Sequence, residues 1–417
     1  MNAGAPRVLV LGAGFAGFAV ARGLEHGRGP AVATTIVDRR NYTLFTPMLP
    51  EVASGSVEPR HIAQPVRASL RRAAFVQGDV TAVDVAARTV TVQPPAGEPA
   101  RTLPFDHLVV ALGAVTTTHH VPGAGEHTFP LKSLDDAAAL RDRVLDVLEA
   151  AATTADAAQR ARLLHFVVVG GGFTGVEAAG ELRAFVRAAL RYYRAVPPDA
   201  VAWTVVSGTQ RLLEQLPPRF GRCAERNFER RRIAVVAGDD VASVDAGGLT
   251  LKSGKRIESH TVVWAAGVRP SPAVATLDVP RTAHGAVQVD ADLSVPGRAG
   301  IWAAGDCAHV PRPGGGTYPQ TAQDALREGA RLARNIRARM AGRSTKPARH
   351  RDAGMMASLG GRYGLADIAG RMLAGFPAWL LWRAFYLLHL PGAQRKARVS
   401  LDWAVGLPFP ADIARIR

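Results

Sequence analysis

Two short apolar runs in the chain each end abruptly in glycine. The first, RVLVL over residues 7–11, leads into GAGFAG and a helical pattern. The second, HFVVV over 165–169, leads into GGGFTG and a long helical pattern that continues as RAFVRAALRYYRAV. An unbroken apolar run of this length, bounded by glycine, reads as a strand buried on both faces. Each unit then reaches a second strand, TTIVD at 34–38 and WTVVS at 203–207. Both are therefore βαβ units, and each implies a parallel sheet.

The same plan continues in both halves. The segments 73–97 and 232–257 alternate and turn like antiparallel strands. FDHLVVALGA (105–114) and HTVVWAAGVRP (260–270) read as buried strands ending in small-residue turns. A repeated order of elements is architectural information in its own right. YTLFTPMLPEVASG (42–55) is a loop carrying Pro47 and Pro50. A helix is predicted over about 133–150, starting at Ser133 or Asp135, and another over 322–340 with basic exposed positions. AGIWAAGDCAHV (299–310) reads as a strand returning to the first half. The expected fold class is α/β, with two Rossmann-like dinucleotide-binding domains, parallel sheets and antiparallel excursions, followed by an amphipathic C-terminal segment. The expected domains are 1–125 with 286–345, 126–285, and a C-terminal region 346–417.

Composition narrows the class. A chain of 417 residues, 47% hydrophobic and 21% charged, is long and apolar enough for two or three globular domains. The 51 Lys and Arg outweigh 35 Asp and Glu, giving a formal charge of +16. The charge is largely arginine spread along the chain. There is no zinc spacing, lysine-rich tail or aromatic–basic pattern, so a nucleic-acid partner is not expected. Two cysteines, Cys223 and Cys307, form no C-x-x-C pair, which excludes a disulfide scaffold and argues against a thiol-based reductase. His119 and His120 are adjacent on an apparent loop with no acid or cysteine cluster, so no metal site is expected. With the first strand near Arg7 no signal peptide is expected, and with no apolar run of 18 residues no membrane-spanning helix is expected.

The glycine boxes carry the chemistry. Gly12, Gly14 and Gly17 form G-x-G-x-x-G between a strand and a helix. The glycines permit a tight turn and close approach of a pyrophosphate to the helix N-terminus. Asp38 ends the next strand about 20 residues on, where an acid binds a ribose hydroxyl. Gly170, Gly172 and Gly175 repeat the box, but the following strand ends in Ser207 with Arg211 nearby. An arginine there can accept a 2′-phosphate; the alternative is a solvent-facing Arg211 with the ribose bonded to Ser207. Two cradles suggest one resident dinucleotide and one that comes and goes.

The set GAGFAG, RNYTLFTPMLPEVASG, VVALGA, GGGFTGVEAAGEL, WAAGVRP, IWAAGDCA, PQTAQDALREG and DAGMMASLGGRYGLADI resembles the type II NADH:quinone oxidoreductases over nearly the whole chain. These are single-subunit, non-proton-pumping NADH dehydrogenases of the respiratory chain, in the two-dinucleotide-binding flavoprotein superfamily. Asp306 resembles the flavoprotein aspartate that binds the ribityl chain of FAD. This implies non-covalent FAD in the first cradle and NADH or NADPH in the second. The implied FAD set is Gly12, Gly14, Phe15, Ala16, Gly17, Asp38, Arg39, Val80, Gly113, Asp306, Ala322 and Gln323. The implied nucleotide set is Gly170, Gly172, Thr174, Gly175, Ser207, Arg211 and Gly267. Pro47, Pro50 and Gln323 are implied at the quinone, with Glu177 and Gln323 as the catalytic pair. The local alternatives are that Glu177 serves the helix dipole and that Gln323 merely starts a helix capped by Thr321. The chain departs from the pattern at Pro50 and Glu51, where some members carry Tyr-Gln, and at Ser207, where some carry an acid.

FPAWLLWRAFYLLHLPG (376–392) is too short to span a bilayer, and Arg395, Lys396 and Arg398 follow it. Tryptophans (Trp379, Trp382, Trp403) beside a basic cluster suit a helix lying in an anionic headgroup plane. The expectation is a peripheral enzyme on the cytoplasmic face of the cell membrane. A buried helix or a homodimer interface is the competing reading of the tail. Two other functions compete: a flavin reductase serving a ferredoxin-like protein, and a nucleotide-sensing flavoprotein without turnover.

Overall fold

The computed structural model describes residues 4–27, 31–349, 354–409 and 412–415. Arg417, and Asp352 and Ala353 of the DAGMMASLGG motif, lie outside the described residues. Ten strands build two parallel sheets: β1 (Arg7–Leu11), β2 (Ala33–Asp38), β3 (Ala74–Gln77), β4 (His107–Val110), β5 (Phe129–Pro130), β6 (His165–Val169), β7 (Ala202–Ser207), β8 (Ile233–Ala237), β9 (Thr261–Trp264) and β10 (Ile301–Ala303). The orders are β10-β4-β1-β2-β3 and β5-β9-β6-β7-β8. In each sheet the strand before a glycine box is central, so Val8–Leu11 and Phe166–Val169 are almost fully buried. Burying each such side chain contributes about 1.5–3 kcal/mol.

The chain divides into two compact units. One comprises Met1–Leu44, Ala63–Val115 and Val268–Arg351; the other comprises Phe45–Ile62, Thr116–Gly267 and Asp352–Arg417. Both antiparallel excursions form. Asp79–Asp84, Thr89–Gln93 and Arg101–Pro104 make a three-stranded sheet in the first unit. Val241–Asp245, Gly248–Leu251 and Arg256–Glu258 make one in the second.

Seven helices matter for the sites: α1 (Phe15–His26), α2 (Leu49–Ala53), α3 (Leu134–Thr153), α4 (Phe173–Ala189), α5 (Ala322–Met340), α6 (Phe376–His389) and α7 (Ala393–Val405). Ser133 caps α3 in a capping box with Asp136. Thr321 caps α5 by accepting from the Asp324 N–H. In the first unit α5 lies close on α1, where a Cβ on Gly329 would stand 2.3 Å from the Ala16 carbonyl oxygen.

The C-terminal segment is an integral part of the second unit. Met356–Ser358, Gly364–Ile368 and Arg371–Gly375 form an antiparallel meander, and α6 packs on it. A break at Pro391 and Gly392 then starts α7, whose Asp402 bonds His61 Nδ1 at 2.6 Å. The tryptophans depart from the headgroup expectation. Trp379 and Trp382 are buried, because their indoles are packed against protein groups.

Candidate functional site

The two glycine boxes share their backbone geometry at the first and third glycines. In the first, the Gly12 N–H donates to the Val37 carbonyl at 2.7 Å; in the second, Gly170 donates to Val206 at 2.8 Å. Gly12 has φ +102° and Gly170 φ +126°, conformations that L side chains rarely adopt. A Cβ there would lie 2.2 Å from the Ala111 oxygen and 2.4 Å from the Ala265 oxygen respectively. Gly17 and Gly175 would each bring a Cβ within 1.9 Å of the oxygen of the box's first glycine.

The helices behind the boxes lack side-chain caps: Gly14 and Gly172 are the N-cap residues and make no side-chain cap bond. A Cβ on Gly14 would meet nothing within 4 Å, and one on Gly172 only Gln215 at 3.6 Å. A helix end with no side-chain cap and room beside its N-cap glycine suits an anion. This arrangement fits the pyrophosphate of a dinucleotide in both cradles.

The strand ends differ. Asp38 Oδ2 accepts from the Ala13 N–H at 2.7 Å and Oδ1 from Arg40 at 2.8 Å, so the acid clasps the glycine loop. Burial pushes its carboxyl upward against those two donors. In the second cradle Ser207 is buried and its hydroxyl bonds the Thr209 hydroxyl at 2.8 Å. Arg211 is half-buried and offers no open fork. Its guanidinium donates to the carbonyls of Leu213, Glu214 and Leu216. An acid comes from the segment after β8: a Cβ on Gly208 would lie 2.0 Å from Asp240 Oδ1.

Gly113 and Asp306 lie just past the carboxyl ends of β4 and β10. Gly113 has φ +66°. The Asp306 carbonyl accepts from Gln320 at 2.7 Å. Ala322 and Gln323 open α5 half-buried. Phe15 is half-buried and Ala16 buried at the start of α1, Arg39 is exposed, and Val80 packs against the core. Glu328 was not among the sequence candidates. Its Oε2 accepts from the Gly305 N–H at 2.7 Å, and burial pushes its carboxyl up to about 7. Cys307 is fully buried and its thiol is pushed up to about 12, so it stays protonated.

In the second unit, Thr174 is exposed at the start of α4, and Gly267 has φ +130° beside the His119 ring. His119 itself bonds the Ala266 carbonyl at 2.8 Å. Pro47, just before α2, is half-buried, and Pro50, within it, is buried. Glu177 is 6% exposed, and its Oε1 accepts from the Ser358 N–H and the Trp382 indole N–H, both at 3.0 Å. Burial pushes its carboxyl up to about 8. Glu181, one turn on, accepts from the Ser358 hydroxyl at 2.8 Å. Glu51 on α2 accepts from Arg383 at 3.4 Å, and burial pushes it also to about 8. Glu181, Glu51 and Arg383 carried no local signal, because their partners are hundreds of residues away in sequence. Among the described residues no group of three or more His, Cys, Asp or Glu could hold a metal ion.

Two parallel sheets, each closing on an uncapped glycine cradle, define a flavoprotein-type oxidoreductase with two nucleotide sites. The chain matches the family described as pyridine nucleotide-disulphide oxidoreductase over residues 6–329. It is 33% identical to the type II NADH:quinone oxidoreductase Ndh of Mycobacterium tuberculosis, over 96% of this chain and 87% of that one. It is 29% identical to the internal alternative NAD(P)H-ubiquinone oxidoreductase A1 of Arabidopsis thaliana mitochondria, over 99% and 86%. The fold matches NDH2 from Plasmodium falciparum, solved in complex with NADH, with a TM-score of 0.91 at 20% identity over 98% and 99%. The chain belongs to the pyridine nucleotide-disulphide oxidoreductase family and, within it, to the type II NADH:quinone oxidoreductases.

Proposed function

We propose that the protein carries electrons from NADH through FAD to a membrane quinone, without pumping protons. The duplicated, uncapped cradle supports this most directly, since it gives two dinucleotide sites on two separate sheets. FAD, when bound, supplies the two-electron chemistry. The chain supplies binding and orientation. Gly12, Gly14 and Gly17 would hold the FAD pyrophosphate at the α1 N-terminus, and Asp38 retains lone pairs for a ribose hydroxyl beyond its two backbone donors. Asp306, Gly113, Ala322 and Gln323 are assigned to the rest of FAD, and Gly170, Gly172, Thr174, Gly175 and Gly267 to the nicotinamide nucleotide. NADH is favoured over NADPH, because Arg211 spends its donors on three carbonyls and Asp240 lies by the strand end. Pro47, Pro50 and Gln323 remain the quinone-side residues. Glu177 is the candidate proton relay, since burial keeps its carboxyl largely protonated at neutral pH.

Attachment to the membrane runs through the C-terminal helices. Phe376, Leu380, Leu388, Leu401, Leu407 and Phe409 are between 53% and 70% exposed, and Arg395, Lys396 and Arg398 lie beside them. Exposed apolar side chains next to basic ones fit an anionic bilayer surface. Among the described residues no helix is long and apolar enough to cross a membrane. The cytoplasmic face remains the assigned side.

Anaerobic mixing with NADH tests the electron path. The flavin absorption should bleach, and a short-chain quinone should restore it. Bleaching that a ferredoxin-like protein reverses and quinone does not would assign the other acceptor class.

A further inference from the structure

The second unit contains a charged cluster that the electron path does not use. Glu51 on α2 and Glu177 and Glu181 on α4 are buried, and Arg383 on α6 is half-buried, its side chain 18% exposed. Three carboxylates thus share few cations: Arg383 acts on Glu51 and Glu181, and Arg231 on Glu181. Ionised together they would leave buried negative charge without a matching cation, which proteins avoid by retaining protons.

Arg383 is not held mainly by its carboxylates. Its guanidinium lies between two indole rings, 4.2 Å from the Trp379 centroid and 4.5 Å from that of Trp403. Its only hydrogen bond to Glu51 is a long one, 3.4 Å. Glu51 Oε2 makes no good hydrogen bond among the described residues, although the Trp403 indole N–H lies near enough to favour the anion. Glu177 and Glu181, by contrast, are each tied to Ser358. The stacked cation can therefore stay in place while Glu51 gains or loses a proton. The other groups acting here are Tyr386 on α6, whose phenol is raised by burial and by Glu177, together with Arg231 beside Glu181 and Arg362 beside Arg383. Arg141 on α3 reaches the far end of the α2 segment at Gly55.

We propose that Glu51 is a proton-holding residue: with Glu181 and Glu177, around the stacked Arg383, it keeps an exchangeable proton at neutral pH and gives it up during reduction of the acceptor. Its place in turnover rests on the quinone reading. NADH brings two electrons and one proton as hydride, whereas a quinone becomes a quinol by taking two electrons and two protons. The second proton leaves a carboxyl O–H in the cluster, a quinol O–H forms, and solvent reprotonates the carboxylate. Glu51 directly follows Pro50, on the segment assigned to the quinone.

Infrared difference spectroscopy on the flavin-loaded protein tests this. The wild type should show a protonated-carboxyl carbonyl band at neutral pH that shifts in heavy water and fades as pH rises past about 8. Glu51→Gln should remove part of that band and Glu51→Asp should restore it, which separates proton holding from folding. With quinone, Glu51→Gln should lower kcat on the order of tenfold or more and move the alkaline limb of its pH profile, with the KM for NADH little changed. Absence of the band in the wild type overturns the proposal. So does a band and pH profile indifferent to Glu51→Gln. The quinone reading fails separately, if NADH-reduced enzyme is not reoxidised by quinone; the Glu51 band would then still support the proton-holding cluster.

Discussion

The first and second cradles share the backbone geometry of their first and third glycines and differ most at the side chain that ends the next strand, Asp38 in one and Ser207 in the other. Both place a glycine N–H on the neighbouring strand, at 2.7 and 2.8 Å, and both bring the third glycine against the first. The first is then clasped by Asp38, which reaches back to the Ala13 N–H. In the second, the equivalent strand ends in Ser207, whose hydroxyl stays with Thr209. The same fold can therefore make a retaining site and a releasing site. A carboxylate that organises the loop and still offers lone pairs suits a resident cofactor, while a loop without that clasp suits a substrate that must leave.

The third glycines give the largest test of this contrast. Gly17→Ala should leave the purified protein nearly free of flavin, because its Cβ meets a backbone oxygen at 1.9 Å. Gly175→Ala should keep its flavin but raise the KM for NADH at least about tenfold, since overpacking of this kind costs about 1–3 kcal/mol or more. Equal effects of both variants on flavin content would erase the distinction.

Asp38→Ala should come next. Losing the acceptor for a part-buried N–H costs about 1–3 kcal/mol, so flavin should dissociate on the order of tenfold more readily. Equilibrium dialysis of the flavin would measure it.

Stability should also depend on pH in a direction set by the second unit. Glu51 and Glu177 are raised from 4.5 when unfolded to about 8 when folded. The folded state binds more protons between those values, so the stability these groups contribute is full below about 4.5 and lost as pH rises through about 8. Heat scans should show a melting temperature that falls over this range, with a shallower fall in the Glu51→Gln, Glu177→Gln double variant.

Smaller effects belong to the surface and to Arg211. Replacing Leu388, Leu401 and Leu407 by Ser should abolish sedimentation with anionic vesicles while leaving NADH-driven bleaching intact. These substitutions are a better test than truncation, because removing α6 would strip Trp382 and Arg383 from buried carboxylates. Arg211→Ala should change the preference for NADH over NADPH by less than about twofold, because its donors serve local carbonyls that solvent can replace. A large change would put the arginine at the nucleotide after all.

Periodicity and glycine spacing exposed much of this architecture. The runs before Gly12 and Gly170, the two antiparallel excursions, and the caps at Ser133 and Thr321 were all legible, because each depends on neighbours in sequence. The carboxylate cluster was not. Glu51 and Arg383 stand 332 positions apart, and nothing local marks either as half of a pair. The tail misled for a related reason. An apolar, tryptophan-bearing stretch beside basic residues has the composition of an interfacial helix, yet Trp379 and Trp382 are consumed by Arg383 and Glu177. The exposed apolar residues are the leucines and phenylalanines on the remaining face. Composition does not say which face of a helix the protein covers.

The most direct test of the central claim is nucleotide retention. Protein purified and gel-filtered without added nucleotide should carry one FAD per chain and no NAD, and should then take up and release NADH reversibly. A chain that retains the nicotinamide nucleotide and releases FAD, or that holds two flavins, would contradict the assignment of the clasped cradle as the retaining site.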